Sequence, residues 1–412
     1  MAKIDIGIEF CGFKCPNPFF LAASPVARTG EMIGRAFEMG WGGAVTKSVS
    51  LDQDLPDRSL SPRFVGIRPG GSTGRLQKNT IGLGNFDFRI DKSVQDTLNS
   101  FAAVKAKYPD RMLILSIKAP FEEEAWHQLA KLAAATGADA IEACLSCPDG
   151  AGGSIGQNAD SVQKVLGWLK GAVSRPILVK VTPHVNSIAA IAQAAQDGGA
   201  AAVSGINALK SIGGFNLATA KPLPTIAGCS ASVGLSGGAI KPVAQYCIYE
   251  IAHTPGFHLP LSGIGGVTCA HDAIEYILLG ASTLQVATQI MYEGYSFIQD
   301  MTEGLERFMA EQGYGQVQEM VGAALDKLVP ATEFLSRGQQ LKANINQERC
   351  IQCGRCFVSC RDGAYQAITF SPERRVEVNQ DNCVGCGLCR LTCPVPGAIY
   401  YSDREGKKEG LN

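Results

Sequence analysis

The sequence predicts an α/β fold, with an eight-stranded parallel barrel in residues 1–341 and a small cysteine-rich domain in residues 342–412. Three observations support this prediction. Short apolar segments alternate with Ala-rich helical segments, as in parallel sheets with crossover helices. Eight such apolar segments can be counted, which favours a closed (β/α)8 TIM barrel over an open sheet. After residue 341 the composition changes from Ala-rich to Cys-rich.

The eight apolar segments are predicted to be the barrel strands, at residues 19–23, 44–47, 113–117, 140–144, 177–181, 202–207, 259–265 and 283–288. Residues 301–341 are predicted to be helical and to close the barrel. Two Gly-rich polar stretches, 50–88 and 213–239, are predicted to be long loops at the C-terminal face of the barrel, where active sites form.

Eight cysteines near the C-terminus repeat the spacing C-x2-C-x2-C-x3-C, at Cys350, Cys353, Cys356, Cys360, Cys383, Cys386, Cys389 and Cys393. This is the spacing of bacterial ferredoxins, in which the fourth cysteine of each run ligates the other of two [4Fe-4S] clusters. The predicted ligand sets are therefore Cys350, Cys353, Cys356 with Cys393, and Cys383, Cys386, Cys389 with Cys360. A zinc site needs only paired C-x2-C motifs, so the third cysteine of each run argues against zinc. We expect a small α+β ferredoxin domain that carries single electrons.

The charge balance excludes some functions. Lys and Arg number 37 and Asp and Glu 38, so no basic surface favours nucleic acid or a membrane. The N-terminal residues lack a signal-peptide pattern, and no apolar stretch is long enough to span a bilayer. We expect a cytoplasmic enzyme.

Two lysines lie inside predicted strands, Lys47 at the end of the second and Lys180 in the fifth. A buried lysine needs an anionic partner, because an unpaired buried charge is costly. Either a bound anion or electron-rich ring, or an ion pair with a nearby carboxylate, satisfies this need. Two such lysines at strand ends favour the ligand.

Glycines and a hydroxyl follow the last two strands, in Gly263-Ile264-Gly265-Gly266 and Gln285-Val286-Ala287-Thr288. This is where barrels of this class bind phosphate, so a phosphate-bearing cofactor is expected. A Gly-x-Gly-x-x-Gly motif between a first strand and helix is not found, so nicotinamide binding is assigned to another polypeptide.

Cys147 follows the fourth strand and precedes a Gly-rich segment. A thiol at this position suits proton exchange near neutral pH, since its pKa is adjustable. The alternative is a buried structural cysteine.

These residues carry a resemblance that covers nearly the whole chain. The segments that match include Gly42-Gly43-Ala44-Val45-Thr46-Lys47, Leu145-Ser146-Cys147-Pro148, Leu178-Val179-Lys180-Val181-Thr182-Pro183 and Gly234-Leu235-Ser236-Gly237-Gly238-Ala239. With the double ferredoxin motif, they resemble the pyrimidine-reducing subunits of the bacterial dihydropyrimidine dehydrogenase family. The barrel alone resembles dihydroorotate dehydrogenases.

The resemblance implies FMN in the barrel, contacted by Ala23, Ser24, Lys47, Lys180, Gly237, Gly265, Gly266, Ala287 and Thr288. It implies that electrons from NAD(P)H arrive through an FAD- and NAD(P)-binding partner subunit and the clusters. The flavin N5 would then exchange a hydride with one ring carbon, most simply at the 5,6 bond of uracil or thymine, while Cys147 exchanges a proton with its neighbour. The resemblance also implies that the chain assembles as a homodimer or a heterotetramer.

The substrate pocket departs from the family pattern at three positions. Cys144 and Ala208 replace an asparagine and a threonine, and Glu122 stands where the family has an asparagine. Asparagine amides match the alternating N–H and C=O edge of a pyrimidine dione. Asn79, in a segment that resembles the dihydroorotate dehydrogenase loop, could supply one missing contact. The predicted substrate contacts are Asn79, Glu122, Cys144, Ser146, Asn207 and Ala208.

Three hypotheses follow. The first is a dihydropyrimidine dehydrogenase subunit, and the second a related flavoenzyme acting on a C=C bond of another small cyclic or conjugated carbonyl compound. The third is an electron-transfer subunit without its own substrate, against which the retention of Lys47, Cys147 and Lys180 argues.

Overall fold

The computed structural model describes residues 4–51, 63–71, 76–86, 93–145, 154–336 and 341–402. The chain divides into two compact units, Met1–Lys327 and Leu328–Asn412, each with its own hydrophobic core. This division falls earlier in the chain than the predicted boundary at residue 342. No helix in the described ranges is both long and apolar enough to cross a membrane.

Strands and helices alternate along much of the first unit. Within the described residues its strands are β1 (Ile8–Phe10), β2 (Phe13–Cys15), β3 (Phe19–Leu21), β4 (Gly43–Val45), β5 (Phe64–Ile67), β6 (Gly82–Asn85), β7 (Met112–Ile117), β8 (Ala140–Cys144), β9 (Ile177–Val181), β10 (Ala202–Gly205), β11 (Leu209–Ser211), β12 (Phe215–Asn216), β13 (Lys221–Pro222), β14 (Val233–Ser236), β15 (Leu261–Ile264) and β16 (Ala281–Val286). Its α-helices there are α1 (Gly30–Met39), α2 (Val94–Lys107), α3 (Glu123–Ala135), α4 (Ala159–Ala172), α5 (Ile188–Asp197), α6 (Lys241–Ala252), α7 (Ala270–Leu278), α8 (Thr288–Glu293) and α9 (Phe297–Gln312).

Eight parallel strands close into a barrel in the order β3-β4-β7-β8-β9-β10-β15-β16, with β16 pairing back to β3. The predicted TIM-barrel fold is therefore confirmed. Each of the eight predicted strands is present, and β8 and β9 have the predicted bounds. Both strands are buried along their whole length, which explains their continuous apolar sequence.

Local sequence signals set the helix ends around the barrel. The Thr29 side chain accepts a hydrogen bond from the Met32 N–H at the start of α1, and Gly40 ends that helix in the left-handed conformation. The helices bury one face against the strands. In α3 this face consists of Trp126, Leu129, Ala130 and Ala133, which recur at helical spacing.

The two stretches predicted to be loops, 50–88 and 213–239, contain strands where they are described, so this part of the prediction is wrong. Strands β5, β6 and β14 join β11 in an antiparallel sheet of order β11-β14-β6-β5. Their short sequences, FVGI, GLGN and VGLS, are rich in glycine and have weak strand propensity. They form strands by pairing with one another, and β6 and β14 pair across more than a hundred residues of sequence, as at Leu235 and Gly84.

The prediction of a helix over 301–341 is only partly correct. Helix α9 ends at Gln312, where Gly313 adopts a left-handed conformation. Two 3₁₀ turns follow, at Val317–Met320 and Leu325–Lys327. Residues 337–340 lie outside the described residues.

The second unit has the small α+β architecture predicted from its cysteines. In its described residues α10 (Ala331–Ser336) comes first, followed by β17 (Lys342–Ile345), α11 (Arg355–Gly363), β18 (Ile368–Phe370), β19 (Val376–Val378), α12 (Leu388–Thr392) and β20 (Ile399–Ser402). Strand β17 pairs with β20, and β18 pairs with β19, both antiparallel. One cysteine run extends into α11 and the other into α12, so the sequence repeat is also a structural repeat.

Candidate active site and cluster sites

A cavity of about 310 Å³ lies at the C-terminal ends of the barrel strands. It brings together the nine residues predicted to contact the cofactor, which are Ala23, Ser24, Lys47, Lys180, Gly237, Gly265, Gly266, Ala287 and Thr288. Parallel strands end at the same face of a barrel, so residues far apart in sequence meet there. This is the face on which barrels of this class carry their active sites.

Both predicted lysines are buried at the cavity wall. Lys180 also forms an ion pair there. Its Nζ lies 3.7 Å from Glu142 Oε1, with the two side chains 5% and 0% exposed. Glu142 also accepts hydrogen bonds from Ser116 Oγ at 3.2 Å and from Ser204 Oγ at 2.7 Å. These bonds satisfy the buried carboxylate and allow it to hold Lys180 in place. Lys47 is 6% exposed and lines the same cavity.

Two polar atoms of the cavity lining suit a bound flavin. Ser24 Oγ and Gln285 Oε1 are buried and have no hydrogen-bond partner among the described residues. The Gln285 amide nitrogen donates to Ser262 Oγ at 3.1 Å, which leaves the oxygen as an unused acceptor. Buried polar atoms without partners are costly, so a ligand with polar groups of its own would satisfy both.

The loop after β15 has no room for side chains at its two glycines. Gly265 and Gly266 have φ values of +124° and +74°, which only glycine adopts readily. A Cβ on Gly266 would lie 2.6 Å from the backbone nitrogen of Lys241. The Tyr276 hydroxyl donates to the Gly265 carbonyl at 2.5 Å. The sequence pattern predicted the glycines but not Tyr276, which becomes their neighbour only through the packing of α7.

A buried carboxylate holds the next part of this loop. Asp272 accepts hydrogen bonds from Thr268 N and Thr268 Oγ1, at 2.8 and 2.6 Å, and from Lys241 Nζ at 2.6 Å. Burial alone would raise the pKa of Asp272, but the hydrogen bonds from Lys241 and Thr268 outweigh burial and lower it. Asp272 therefore stays ionised and ties the loop to the first turn of α6.

The inserted antiparallel sheet contacts the barrel end at Thr288. The Thr288 hydroxyl donates to Ser236 Oγ at 3.0 Å, and Ser236 Oγ donates to the Leu83 carbonyl at 3.2 Å. A Cβ on Gly237, which has φ +84°, would lie 3.2 Å from Thr288 Cγ2. These contacts connect β14 and β6 to the residues that follow β16.

Three of the predicted substrate contacts, Cys144, Asn207 and Ala208, line the cavity. Asn79 and Glu122 do not line it. Asn79 is exposed in a turn before β6, and Glu122 is an exposed residue at the start of α3.

Two further predicted residues, Ser146 and Cys147, lie outside the described residues. The described residues stop at Leu145, directly after β8, and continue from Ser154, which also lines the cavity. Ser154 Oγ donates to the Leu145 carbonyl at 2.7 Å, so both ends of this segment meet at the cavity edge.

Two lysines that sequence reasoning missed also line the cavity. Lys118 directly follows β7, and Lys47 lies two residues after β4, so the search for lysines at strand ends that identified Lys47 could have found Lys118. Lys210 lies in β11, within a segment that the sequence did not identify as a strand. Its backbone N–H donates to His184 Nε2 at 2.8 Å. Burial, and then the Lys210 charge, lower the pKa of His184.

In the second unit, two small cavities of about 20 Å³ each are bordered by cysteines. Cys350, Cys353, Cys356 and Cys393 border one, and Cys360, Cys383, Cys386 and Cys389 border the other. Each cavity thus has one of the two predicted ligand sets around it. Among the described residues, no group of three or more His, Cys, Asp or Glu side chains is placed to hold a single metal ion.

Backbone donors already point at some of these sulfurs. The N–H groups of Ala343 and Ala367 donate to Cys383 Sγ and Cys360 Sγ, at 3.5 and 3.3 Å. The Gln352 N–H donates to Cys350 Sγ at 3.4 Å. Such hydrogen bonds stabilise thiolate ligands and help to set cluster potentials.

Residues 6–309 match the dihydroorotate dehydrogenase family over most of the barrel unit. The chain belongs to this family. Residues 343–401 match the 4Fe-4S dicluster domain. Members of the combined type are oxidoreductases that act on CH–CH bonds, and this chain is such an enzyme, with FMN and iron–sulfur clusters as its cofactors.

Three relatives show what the chain is similar to. The chain is 38% identical over 382 residues to the NAD-dependent dihydropyrimidine dehydrogenase subunit PreA of Escherichia coli strain K12, covering 91% of this chain and 90% of that protein. It is 32% identical over 345 residues to the chloroplastic dihydropyrimidine dehydrogenase (NADP(+)) of Arabidopsis thaliana, covering 82% and 80% of the two chains. It is 34% identical over 328 residues to the dihydroorotate dehydrogenase B (NAD(+)) catalytic subunit of Thermococcus kodakarensis, covering 79% and 100%.

We expect Gly266→Ala to weaken FMN binding by about tenfold or more. The added Cβ would meet the Lys241 backbone, and a left-handed alanine costs about 1–2 kcal/mol, which is a factor of roughly five to thirty in affinity. Titration of the apoprotein with FMN, followed by flavin fluorescence, measures the effect. Gly256→Ala is the control, because Gly256 has φ +81° with no atom within 4 Å of its Cβ position. Equal FMN affinity in both variants would contradict the role of this loop.

Paired substitutions test the grouping of the cysteines. Cys350→Ser with Cys393→Ser should damage one site only and leave about four irons per chain. Cys383→Ser with Cys393→Ser should damage both sites and remove nearly all iron. Iron and sulfide analysis of anaerobically purified protein gives the answer. The opposite order of iron content would show that each run of four cysteines holds its own cluster.

Proposed function

We propose that this chain is the catalytic subunit of an enzyme that reduces or forms the 5,6 carbon–carbon double bond of a pyrimidine ring. The observation that supports this proposal is the cavity at the barrel mouth, where the nine predicted flavin contacts lie beside Cys144 and Asn207. The 38% identity to the PreA subunit over 91% of the chain supports the same substrate class.

Bound FMN supplies hydride exchange with a ring carbon, and bound [4Fe-4S] clusters supply single electrons. The residues of the chain position and protonate the substrate. Lys180, fixed by Glu142, and Lys47 place two positive charges at the cavity wall, where they favour an electron-rich or reduced flavin ring. Gly265, Gly266 and Thr288 are proposed to hold the FMN phosphate at the ends of β15 and β16.

Proton transfer is assigned to Cys147. When a ring C=C bond is reduced, the hydride goes to one carbon and a proton to its neighbour, so the thiol proton completes the balance. In the oxidative direction the thiolate takes that proton back. The segment from 146 to 153 begins and ends beside the cavity, at Leu145 and Ser154, which supports this assignment.

A second candidate is a ring that bears an anionic substituent, and the lysines favour it. Lys47, Lys118, Lys180 and Lys210 line the cavity, whereas no Asp or Glu is among its described lining residues. Cys144 and Ala208 offer little hydrogen bonding to the edge of a neutral dione. A carboxylate on the substrate would instead find Lys118 or Lys210 within the same cavity.

The proposal also includes a partner subunit and a cellular location for the chain. We propose that an FAD- and NAD(P)-binding subunit delivers electrons to the clusters, within a heterotetramer or a related assembly. The PreA relative is itself a subunit, which supports this proposal. A cytoplasmic location fits cysteines that must remain reduced to hold clusters.

Anaerobic mixing with dihydrouracil, dihydrothymine and dihydroorotate separates the candidates. We expect the neutral dihydropyrimidines to bleach the flavin and cluster absorbance within the mixing time. Bleaching by dihydroorotate alone would instead support the anionic ring, and Lys210→Met should then weaken its binding several-fold. If none of the three compounds reacts while dithionite still reduces both cofactors, the substrate is a ring of another class.

We expect Cys147→Ala to slow flavin reduction by the active substrate by about 10²- to 10⁴-fold, the usual contribution of a general acid or base. Stopped-flow absorbance measures the rate, and FMN and iron contents should remain unchanged. Cys229→Ala is the control, since Cys229 is exposed and does not line the cavity. An unchanged rate in Cys147→Ala would refute the proton-transfer role.

A further inference from the structure

The two halves of the cluster unit place an aromatic ring at equivalent positions. Gly354 and Gly387 each precede a helix and have φ values of +74° and +91°. A Cβ on Gly354 would lie 3.1 Å from Cε1 of Phe370, and a Cβ on Gly387 would lie 3.6 Å from the hydroxyl of Tyr401. The structural repeat therefore places a phenyl ring near one cluster cavity and a phenol near the other.

The Tyr401 hydroxyl is buried, and it has no hydrogen-bond partner among the described residues. Tyr401 as a whole is 7% exposed, in the same core as Cys389. The Cys389 sulfur is close enough to the hydroxyl to interact with it, although the pair does not reach full hydrogen-bond geometry. A buried O–H without a partner is costly, so this hydroxyl needs an acceptor.

The strand that carries Tyr401 is fixed against the same cavity. Tyr401 pairs with Ala343 across β20 and β17, and the Ala343 N–H donates to Cys383 Sγ at 3.5 Å. The guanidinium of Arg390 lies 5.8 Å from the centre of the Tyr401 ring. Strand pairing thus fixes the backbone of Tyr401 and Arg390 lies over its ring. The hydroxyl lies beside Gly387, which borders the cavity of Cys360, Cys383, Cys386 and Cys389.

We propose that Tyr401 donates a hydrogen bond to the Cys389 thiolate and raises the reduction potential of the cluster at that site relative to a phenylalanine at the same position. Reduction adds negative charge that spreads onto the cluster sulfurs, and an O–H donor stabilises that charge. Phe370 offers no such donor at the other site. The inference rests on the ligand sets proposed above, and Tyr401 acts on the cluster through its ligand rather than in the ring chemistry.

The test compares Tyr401→Phe with Tyr400→Phe in the full chain with both clusters loaded. The two variants lose the same atom from neighbouring positions of β20, whose side chains point to opposite faces of the strand. Redox titration followed by electron paramagnetic resonance gives the midpoint potentials. We expect one of the two cluster potentials to become more negative in Tyr401→Phe, and both to stay unchanged in Tyr400→Phe.

The iron content of Tyr401→Phe distinguishes an unchanged cluster potential from loss of the cluster itself. Equal potentials in Tyr401→Phe and the unaltered protein, with about eight irons per chain, would overturn the proposal while leaving the cluster ligands intact. If Tyr401→Phe does not retain its iron, 3-fluorotyrosine at position 401 replaces it as the test, because fluorination strengthens the phenol as a donor. That protein should show a more positive potential for one cluster, and an unchanged potential would overturn the proposal.

Discussion

Barrel closure by pairing of β16 with β3 is the constraint on which the active site depends. The register sets Val286 opposite Leu21, so the residues after both strands emerge side by side. Ala23 and Ser24 from the start of the chain thereby join Ala287 and Thr288 from near the end of the barrel unit at one cavity. Without closure these residues would lie at opposite edges of an open sheet.

The barrel interior also explains why charged residues occur within its apolar strands. Glu142 on β8, Ser116 on β7, Ser204 on β10 and Lys180 on β9 form one buried network across four adjacent strands. Burying an ion pair is favourable only when hydrogen bonds satisfy the remaining atoms, and the two serines do so for the carboxylate. The network fixes Lys180, which faces the cavity. The same contacts therefore provide both the packing and the charge pairing at this site.

The cluster unit shows how a repeated sequence can support two different environments. Its two halves share the cysteine spacing, the glycine before each helix and a paired strand. They differ in the groups near the sulfurs, because Phe370 occupies the place that Tyr401 takes in the other half. Cluster potentials depend on such neighbours as well as on the ligands, so the spacing of the cysteines leaves the potentials open.

The sequence by itself determined the barrel, its eight strands, the cysteine-rich unit and the residues that follow the strands, such as Lys47 and Gly265. These features have short-range signals, since a buried parallel strand reads as a continuous apolar segment and a cluster motif as a fixed spacing. Tertiary structure alone decided that the Gly-rich stretches form a sheet, that Tyr276 supports Gly265 and that Lys210 reaches the cavity. Each of these depends on contacts between segments distant in sequence, and local propensity carries no information about such contacts.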